Sequence, residues 1–271
     1  MKNILLIGCG HMGGSLISGW SNSKNYTISV IDKKKYSILK KRNRNKKIKF
    51  FKSINDINNQ NNFDYIIFAT RPLELTNVFK ELKNVNFNKK SIAISVIAGK
   101  KTEIFKKNLL NISKIVRVMP NMPALIGEGV HCVYTNKFIN KKEIKEIDKL
   151  FSLSGKTLFF NSEAFIDKAT AVSGSGPGFI FQLIDIMEKS AINLGFSKNT
   201  AKILINETFR GSLNLLNSNN ISAEKMVETV ATRGGTTEAG IKKMKINKVD
   251  KIFNQVFKAA YTRAKQQGEG K

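Results

Sequence analysis

Short apolar runs and longer segments of helical length alternate over the first half of the chain. Runs rich in Ile, Val, Phe and Tyr at 4–7, 27–31, 65–69, 92–97 and 130–134 read as strands. Between them lie stretches suited to helices, among them 13–22, 73–82 and 102–110. The runs lack a clean apolar-polar alternation, as expected of strands covered on both faces. Repeated strand, helix, strand predicts an α/β fold with a doubly wound, Rossmann-like parallel sheet, closed by a last strand at 157–160.

After residue 160 the pattern changes. No convincing strand follows, and helical stretches cover 162–172, 177–194, 198–217, 223–229 and 249–267. Pro177 suits a first helical position and Gly195 a C-terminal cap. Residues 178–187 are apolar nearly all round, so they should be buried on several sides, between subunits. The expected organisation is an α/β domain over 1–160 and an all-α C-terminal dimerisation domain over 161–271, with a frayed tail beyond Lys265.

Composition narrows the class. A chain of 271 residues with 41% hydrophobic and 24% charged positions can bury a sizeable core and is neither disordered nor collagen-like. Its apolar runs fall short of the roughly 18–20 residues that span a bilayer, so no membrane partner is expected. Residues 1–8 read as a first strand rather than a leader. Cys9 and Cys132 offer neither a disulfide framework nor a metal-ligand pattern, and a cytoplasmic location with no metal is expected. The 46 Lys and Arg against 20 Asp and Glu give a net charge of +26, which raises nucleic acid as a partner. The cations are spread along the chain, however, and Lys, Asn and Ile are abundant together, as in AT-rich coding. Only 33–52 is dense, and few aromatics interleave it. A solvated basic surface is the simpler reading.

Gly8-Cys9-Gly10-His11-Met12-Gly13 matches G-x-G-x-x-G directly after a strand and before a helix. The first glycine permits a tight turn, the second lets backbone approach a pyrophosphate, and the third lets helix and strand pack closely. His11 and Met12, inside the turn, would face the dinucleotide. Free N–H groups and the helix dipole then favour phosphate. Asp32, at the end of the second strand, stands where an acid bonds the adenosine ribose and favours NADH. Lys33, Lys34 and Lys35 pull toward the extra phosphate of NADPH, so both cofactors remain open. Neither histidine has partners for nucleophilic hydrolysis; His11 fills the turn and His131 reads as structural.

Four further blocks, taken with this turn, resemble the pyrroline-5-carboxylate reductase family: Ala69-Thr70-Arg71-Pro72, then Arg117-Val118-Met119-Pro120-Asn121-Met122-Pro123, then Ser173-Gly174-Ser175-Gly176-Pro177, and Gly234-Gly235-Thr236-Thr237. Their order and spacing extend the resemblance over essentially the whole chain. It implies reduction of 1-pyrroline-5-carboxylate, a cyclic imine carboxylate, to L-proline by NADPH or NADH. It also implies a homodimer built through the C-terminal helices, or a larger homo-oligomer. Cofactor contacts are implied at Asn55, at Ala69, Thr70, Arg71 and Pro72, and at Val96, Ile97 and Ala98, beyond the glycine turn. Arg71 stands where the family usually has Lys, Met122 where it has Thr, and Thr232-Arg233 where Ser-Pro is common. The two prolines around Asn121 make a rigid loop that shapes the site.

Gly234 and Gly235, followed by Thr236 and Thr237 before a helical stretch, form a nest of free N–H groups suited to a carboxylate. In this reading Thr237 is the catalytic residue and hydrogen-bonds the ring nitrogen, the Gly235–Thr236 backbone takes the carboxylate, and Ser173 lines the substrate site. Two other readings compete. A β-hydroxyacid dehydrogenase shares the glycine turn and needs a helical Lys, for which Lys168 is the nearest stand-in. A non-catalytic dinucleotide- or nucleic-acid-binding protein would rest on the basic surface.

Overall fold

Alternate residues of the first strand, β1 (Lys2–Ile7), enter two different hydrophobic layers: Ile4 and Leu6 one, Leu5 and Ile7 the other. Burial on both faces is why the strand reads as an unbroken apolar run. In this computed structural model, which describes residues 1–42, 47–57, 62–219 and 221–268, β1 is joined by β2 (Tyr26–Ile31), β3 (Ile48–Phe51), β4 (Tyr65–Phe68), β5 (Ile92–Ser95), β6 (Lys114–Met119), β7 (Gly129–Thr135) and β8 (Gly155–Phe160). The strand order is β3-β2-β1-β4-β5-β6-β7-β8. All neighbours pair parallel except β6 and β7. The order reverses between β1 and β4, the switch point at which open α/β sheets bind ligands outside the strands' carboxyl ends.

Helices α1 (His11–Ser21), α2 (Tyr36–Arg42), α3 (Leu75–Leu82), α4 (Thr102–Asn108), α5 (Lys141–Phe151) and α6 (Ala164–Ala169) accompany the sheet. In one layer Trp20 of α1 donates its indole N–H to the Leu150 carbonyl at 3.0 Å and packs edge-on to Phe151. In the other, Phe68, Phe79 and Phe105 form a tilted triad with centroids 5.0–6.0 Å apart. Each such buried ring contributes about 1.5–3 kcal/mol. Asn140 and Glu143 form a capping box that starts α5.

Two compact units divide the chain: Met1–Pro177 together with the end of the last helix from Ala260, and Gly178–Ala259. The second is built from most of α7 (Gly176–Asn193), then α8 (Lys198–Asn219), α9 (Ala223–Val230), α10 (Thr236–Ile246) and the start of α11 (Val249–Gly268). Within it Phe179 and Phe257 meet edge to face. Gly195 follows α7 with φ +100°, the left-handed conformation of a helix stop. Ile180, Phe181 and Ile186 of α7 are 49–57% exposed in the single chain.

The structure holds the expected Rossmann-like sheet and helical C-terminal region, and departs from the sequence reading at four places. Strands β3 and β6 were not expected. The first is only four residues inside the basic stretch at 33–52, of which 43–46 lie outside the described residues. The second is interrupted by Arg117, which is 1% exposed. The sheet is not wholly parallel, because β7 runs against β6. The tail does not fray at Lys265: α11 continues to Gly268, and a Cβ on Gly99 would lie 2.8 Å from the Gln267 backbone. Residues 269–271 lie outside the described residues.

Candidate functional site

The glycine turn sits between the carboxyl ends of β1 and β4. Gly8 adopts φ +94°, and a Cβ there would lie 2.8 Å from the Ala69 backbone. Its N–H bonds the Ile31 carbonyl at 2.8 Å, while the Ala69 N–H bonds that of Ile7 at 2.8 Å. At Gly13 a Cβ would meet the Gly8 carbonyl at 2.5 Å, so helix and strand touch there. Gly10 differs: a Cβ would meet nothing within 4 Å. The protein's own packing explains Gly8 and Gly13, whereas Gly10 is exposed and opens on free space.

Helix α1 starts at His11 with no side-chain cap and no acidic residue in its first turn. Its leading amides are thus left to an incoming acceptor. His11 is exposed, and half-buried Met12 packs on the core beneath the turn. The surrounding groove, about 570 Å³, is lined by the turn, by Asp32, Lys33, Lys34 and Lys35, by Lys52, and by Ala69, Thr70, Arg71 and Pro72. The Thr70 hydroxyl is buried there with no hydrogen-bond partner among the described residues. An orphan hydroxyl, an uncapped helix start and the open side of Gly10 together fit a dinucleotide.

Asp32 closes the far side of the turn. One carboxylate oxygen accepts the Cys9 N–H at 2.8 Å, and the other accepts the N–H groups of Lys34 at 3.1 Å and Lys35 at 2.8 Å. The Lys35 ammonium donates to the Cys9 carbonyl at 3.3 Å. Burial, with the Asp32 charge adding, pushes the Cys9 thiol up to about 11, which keeps it unreactive.

Other expected cofactor positions are placed differently. Asn55 lies exposed on a short 3₁₀ turn, its N–H bonded to Ser53 Oγ at 3.1 Å. It lines a neighbouring depression with Lys80 and Glu81 rather than the groove. Val96 and Ile97 bury their side chains in opposite layers and Ala98 is half-buried, so Val96 and Ile97 can present only backbone to a ligand.

A second cluster joins residues of β6, β7 and α6. The Arg117 guanidinium pairs with Asp167 at 2.6 Å and Glu163 at 3.5 Å. Glu163 also accepts the N–H of Thr102 at 2.7 Å and its hydroxyl at 2.8 Å. The Asn121 side chain donates to the Ser173 carbonyl at 3.2 Å and accepts from the Val130 N–H at 2.8 Å. The segment Thr170–Gly174 is a π-helical turn, and a Cβ on Gly174 would lie 2.7 Å from Met119 Cε. Ser173 donates its hydroxyl to the Ala169 carbonyl at 3.0 Å and lies 3.6 Å from the Cys132 sulfur. Lys168 is exposed, its ammonium 4.6 Å from the Phe165 ring centroid. His131 is fully buried against Ser154 Oγ at 3.0 Å, and burial lowers it to about 4.

The second unit carries the last block. Gly234 has φ +75° and Gly235 is the N-cap of α10, with Thr236 and Thr237 exposed in its first turn. The nest expected at the two glycines is not free: the Gly235 N–H donates to the Thr232 carbonyl at 3.0 Å, and the Gly234 N–H donates to the Glu238 carboxylate at 2.8 Å, which also pairs with Lys242 at 3.2 Å. That bond, then Lys242, holds Glu238 below the usual carboxylate range. Sequence reasoning missed Glu238, although an acid three residues past an N-cap is the signal for it.

The doubly wound sheet, the glycine cradle at its switch point and the helical C-terminal region define an NAD(P)-dependent oxidoreductase. A family model described as "NADP oxidoreductase coenzyme F420-dependent" matches residues 3–99, and one described as "Pyrroline-5-carboxylate reductase dimerisation" matches 163–267. The pyrroline-5-carboxylate reductase of Haemophilus influenzae is 28% identical over 272 residues, covering 98% of this chain and 97% of that protein. That of Pseudomonas aeruginosa is 30% identical over 206 residues, 76% of this chain and 75% of that protein. The solved structure of a pyrroline-5-carboxylate reductase from Coxiella burnetii superposes with a TM-score of 0.87 at 27% identity, covering 98% of both chains. The chain belongs to the pyrroline-5-carboxylate reductase family.

Proposed function

We propose that this protein reduces 1-pyrroline-5-carboxylate to L-proline with NADPH or NADH, as a cytoplasmic homodimer or larger homo-oligomer. The observation that carries the reading is the glycine turn, shaped for a dinucleotide by Gly10 and the orphan Thr70 hydroxyl in a chain of this family.

When bound, the reduced nicotinamide supplies the hydride. The imine carbon gains that hydride and the ring nitrogen a proton, giving the secondary amine. The protein's part is binding and orientation, so no acid-base dyad is required. At the start of α10 the Thr236 amide receives the substrate carboxylate, the Gly235 N–H being bonded to the Thr232 carbonyl, and the Thr237 hydroxyl hydrogen-bonds the ring nitrogen. Ser173 and the rigid Asn121 loop shape the substrate side. Exposed Ile180 and Phe181 of α7 are suited to burial against a second copy.

The test is oxidation of NADPH and NADH by purified protein with racemic 1-pyrroline-5-carboxylate. The expected result is turnover that depends on the imine and yields proline. Dinucleotide binding without turnover would point to another substrate.

A further inference from the structure

Helix α4 starts without a cap of its own: its N-cap is Lys101, which makes no side-chain cap bond. Thr102 follows, a residue type that often caps a helix through its own hydroxyl. Here that hydroxyl donates instead to one oxygen of Glu163 at 2.8 Å, and the Thr102 N–H donates to the other at 2.7 Å. The Arg117 guanidinium, 2% exposed, holds Glu163 from the opposite side and binds Asp167 of α6 as well. A Ser or Asp at position 101 would start the helix locally, at about 1 kcal/mol. A carboxylate brought from α6 does more, because it also fixes where the helix begins.

What it fixes is the turn at 96–101. The Val96 N–H bonds the Phe68 carbonyl at 3.0 Å, so this turn starts beside the one after β4, whose Ala69 backbone abuts Gly8. In a doubly wound sheet the two mononucleotide halves of a dinucleotide lie on either side of the switch point. With the adenosine half at β1 and β2, the nicotinamide half falls at the carboxyl ends of β4 and β5. Val96 and Ile97 turn their side chains into the core, so backbone alone meets the ring there. A backbone contact has no rotamer to adjust and depends on the seat of the whole turn. The turn is seated by β4 at its start, by the end of α11 at Gly99 and by Glu163 at its exit. Helix α6, tied to the same guanidinium, runs directly into the π-helical turn that carries Ser173.

We propose that Glu163 is a positioning residue for hydride transfer, seating through Thr102 the turn that faces the nicotinamide, with Arg117 holding Glu163 in place. The proposal rests on the reductase reading given above.

The test compares Glu163→Gln and Thr102→Val with the parent enzyme, each assayed well below its melting point. A further variant, Asn140→Ala, removes the cap of α5 and controls for lost stability alone. Calorimetry with NADH against ADP-ribose, and with NADPH against its 2′-phosphate counterpart, isolates the nicotinamide. Both test variants should bind the dinucleotides about fivefold or more weakly and the fragments within about twofold of the parent. Their kcat should fall about tenfold or more, with KM for the imine nearly unchanged. Asn140→Ala should lower the melting temperature and leave every ratio as it was. Should Glu163→Gln fail to fold, Thr102→Val decides alone, since it leaves the ion pairs untouched. Unchanged kcat and affinity ratio, or fragments weakened as much as dinucleotides, would overturn the proposal. An effect in Thr102→Val with none in a folded Glu163→Gln would do so too. A parent enzyme that binds dinucleotide without imine-dependent turnover would sink the reductase reading, while the ratio of dinucleotide to fragment still judges the seat of the turn.

Discussion

The Arg117 guanidinium donates to the Asp167 carboxylate at 2.6 Å, and the two side chains are only 2% and 10% exposed. Removing one partner leaves the other buried and charged, the costly way to break such a pair. Asp167→Ala is therefore expected to destabilise the protein by about 3–5 kcal/mol in urea unfolding. Combining Arg117→Met with Asp167→Leu should recover most of that loss. Equal instability of the single and double variants would place the cost in packing instead.

The glycines of the turn should separate by experiment. Gly8→Ala forces a side chain into a left-handed backbone against Ala69 and should cost about 1–3 kcal/mol. Gly10→Ala meets no atom and should melt within a few degrees of the parent. Dinucleotide affinity of Gly10→Ala, measured by calorimetry, should nevertheless fall about tenfold or more, since the methyl enters the space left for the pyrophosphate.

His131 makes stability depend on pH. Its ring is neutral in the fold, with a pKa of about 4 against 6.5 in the unfolded chain. Below pH 6.5 the unfolded state binds a proton that the native state refuses, so this contribution to stability falls with pH until about pH 4. The full loss is about 3 kcal/mol. Urea midpoints at about pH 7.5 and about pH 5 should diverge in the parent and converge in His131→Phe.

Thr237→Ala removes the hydroxyl assigned to the ring nitrogen. A hydrogen bond to a charged group is worth about 1.5–3 kcal/mol, so kcat/KM for the imine should drop about 10- to 100-fold. Dinucleotide affinity should stay as it was, because Thr237 is not among the residues lining the groove at the glycine turn. Unchanged steady-state constants would remove Thr237 from the mechanism.

What could be read from the chain followed from local chemistry. The buried strands, the glycine turn and the capped end of α7 depend on neighbours a few residues away, and their positions agree with the structure to within a few residues. Strand β6 was hidden because Arg117 reads as a surface residue until its partners, 46 and 50 positions later, are brought beside it. The role of Asp32 was half legible: its position was clear, but the three N–H groups that converge on it exist only once the turns have folded. Glu238 is the opposite case, since its partner Gly234 is only four residues away and its carboxylate takes the N–H that the sequence pattern offers to an external one.

The contact between Gly99 and the end of α11 has a consequence for biosynthesis. The first unit is discontinuous along the chain, with more than eighty residues of the second unit emerging before the segment that completes it. Domains ordinarily form in the order in which they leave the ribosome. Here the amino-terminal part must wait for the last turns of α11, and a nascent chain halted before Ala260 would leave the turn after β5 uncovered at Gly99. The nucleotide-binding unit is complete only once the segment from Ala260 to Gly268 has emerged.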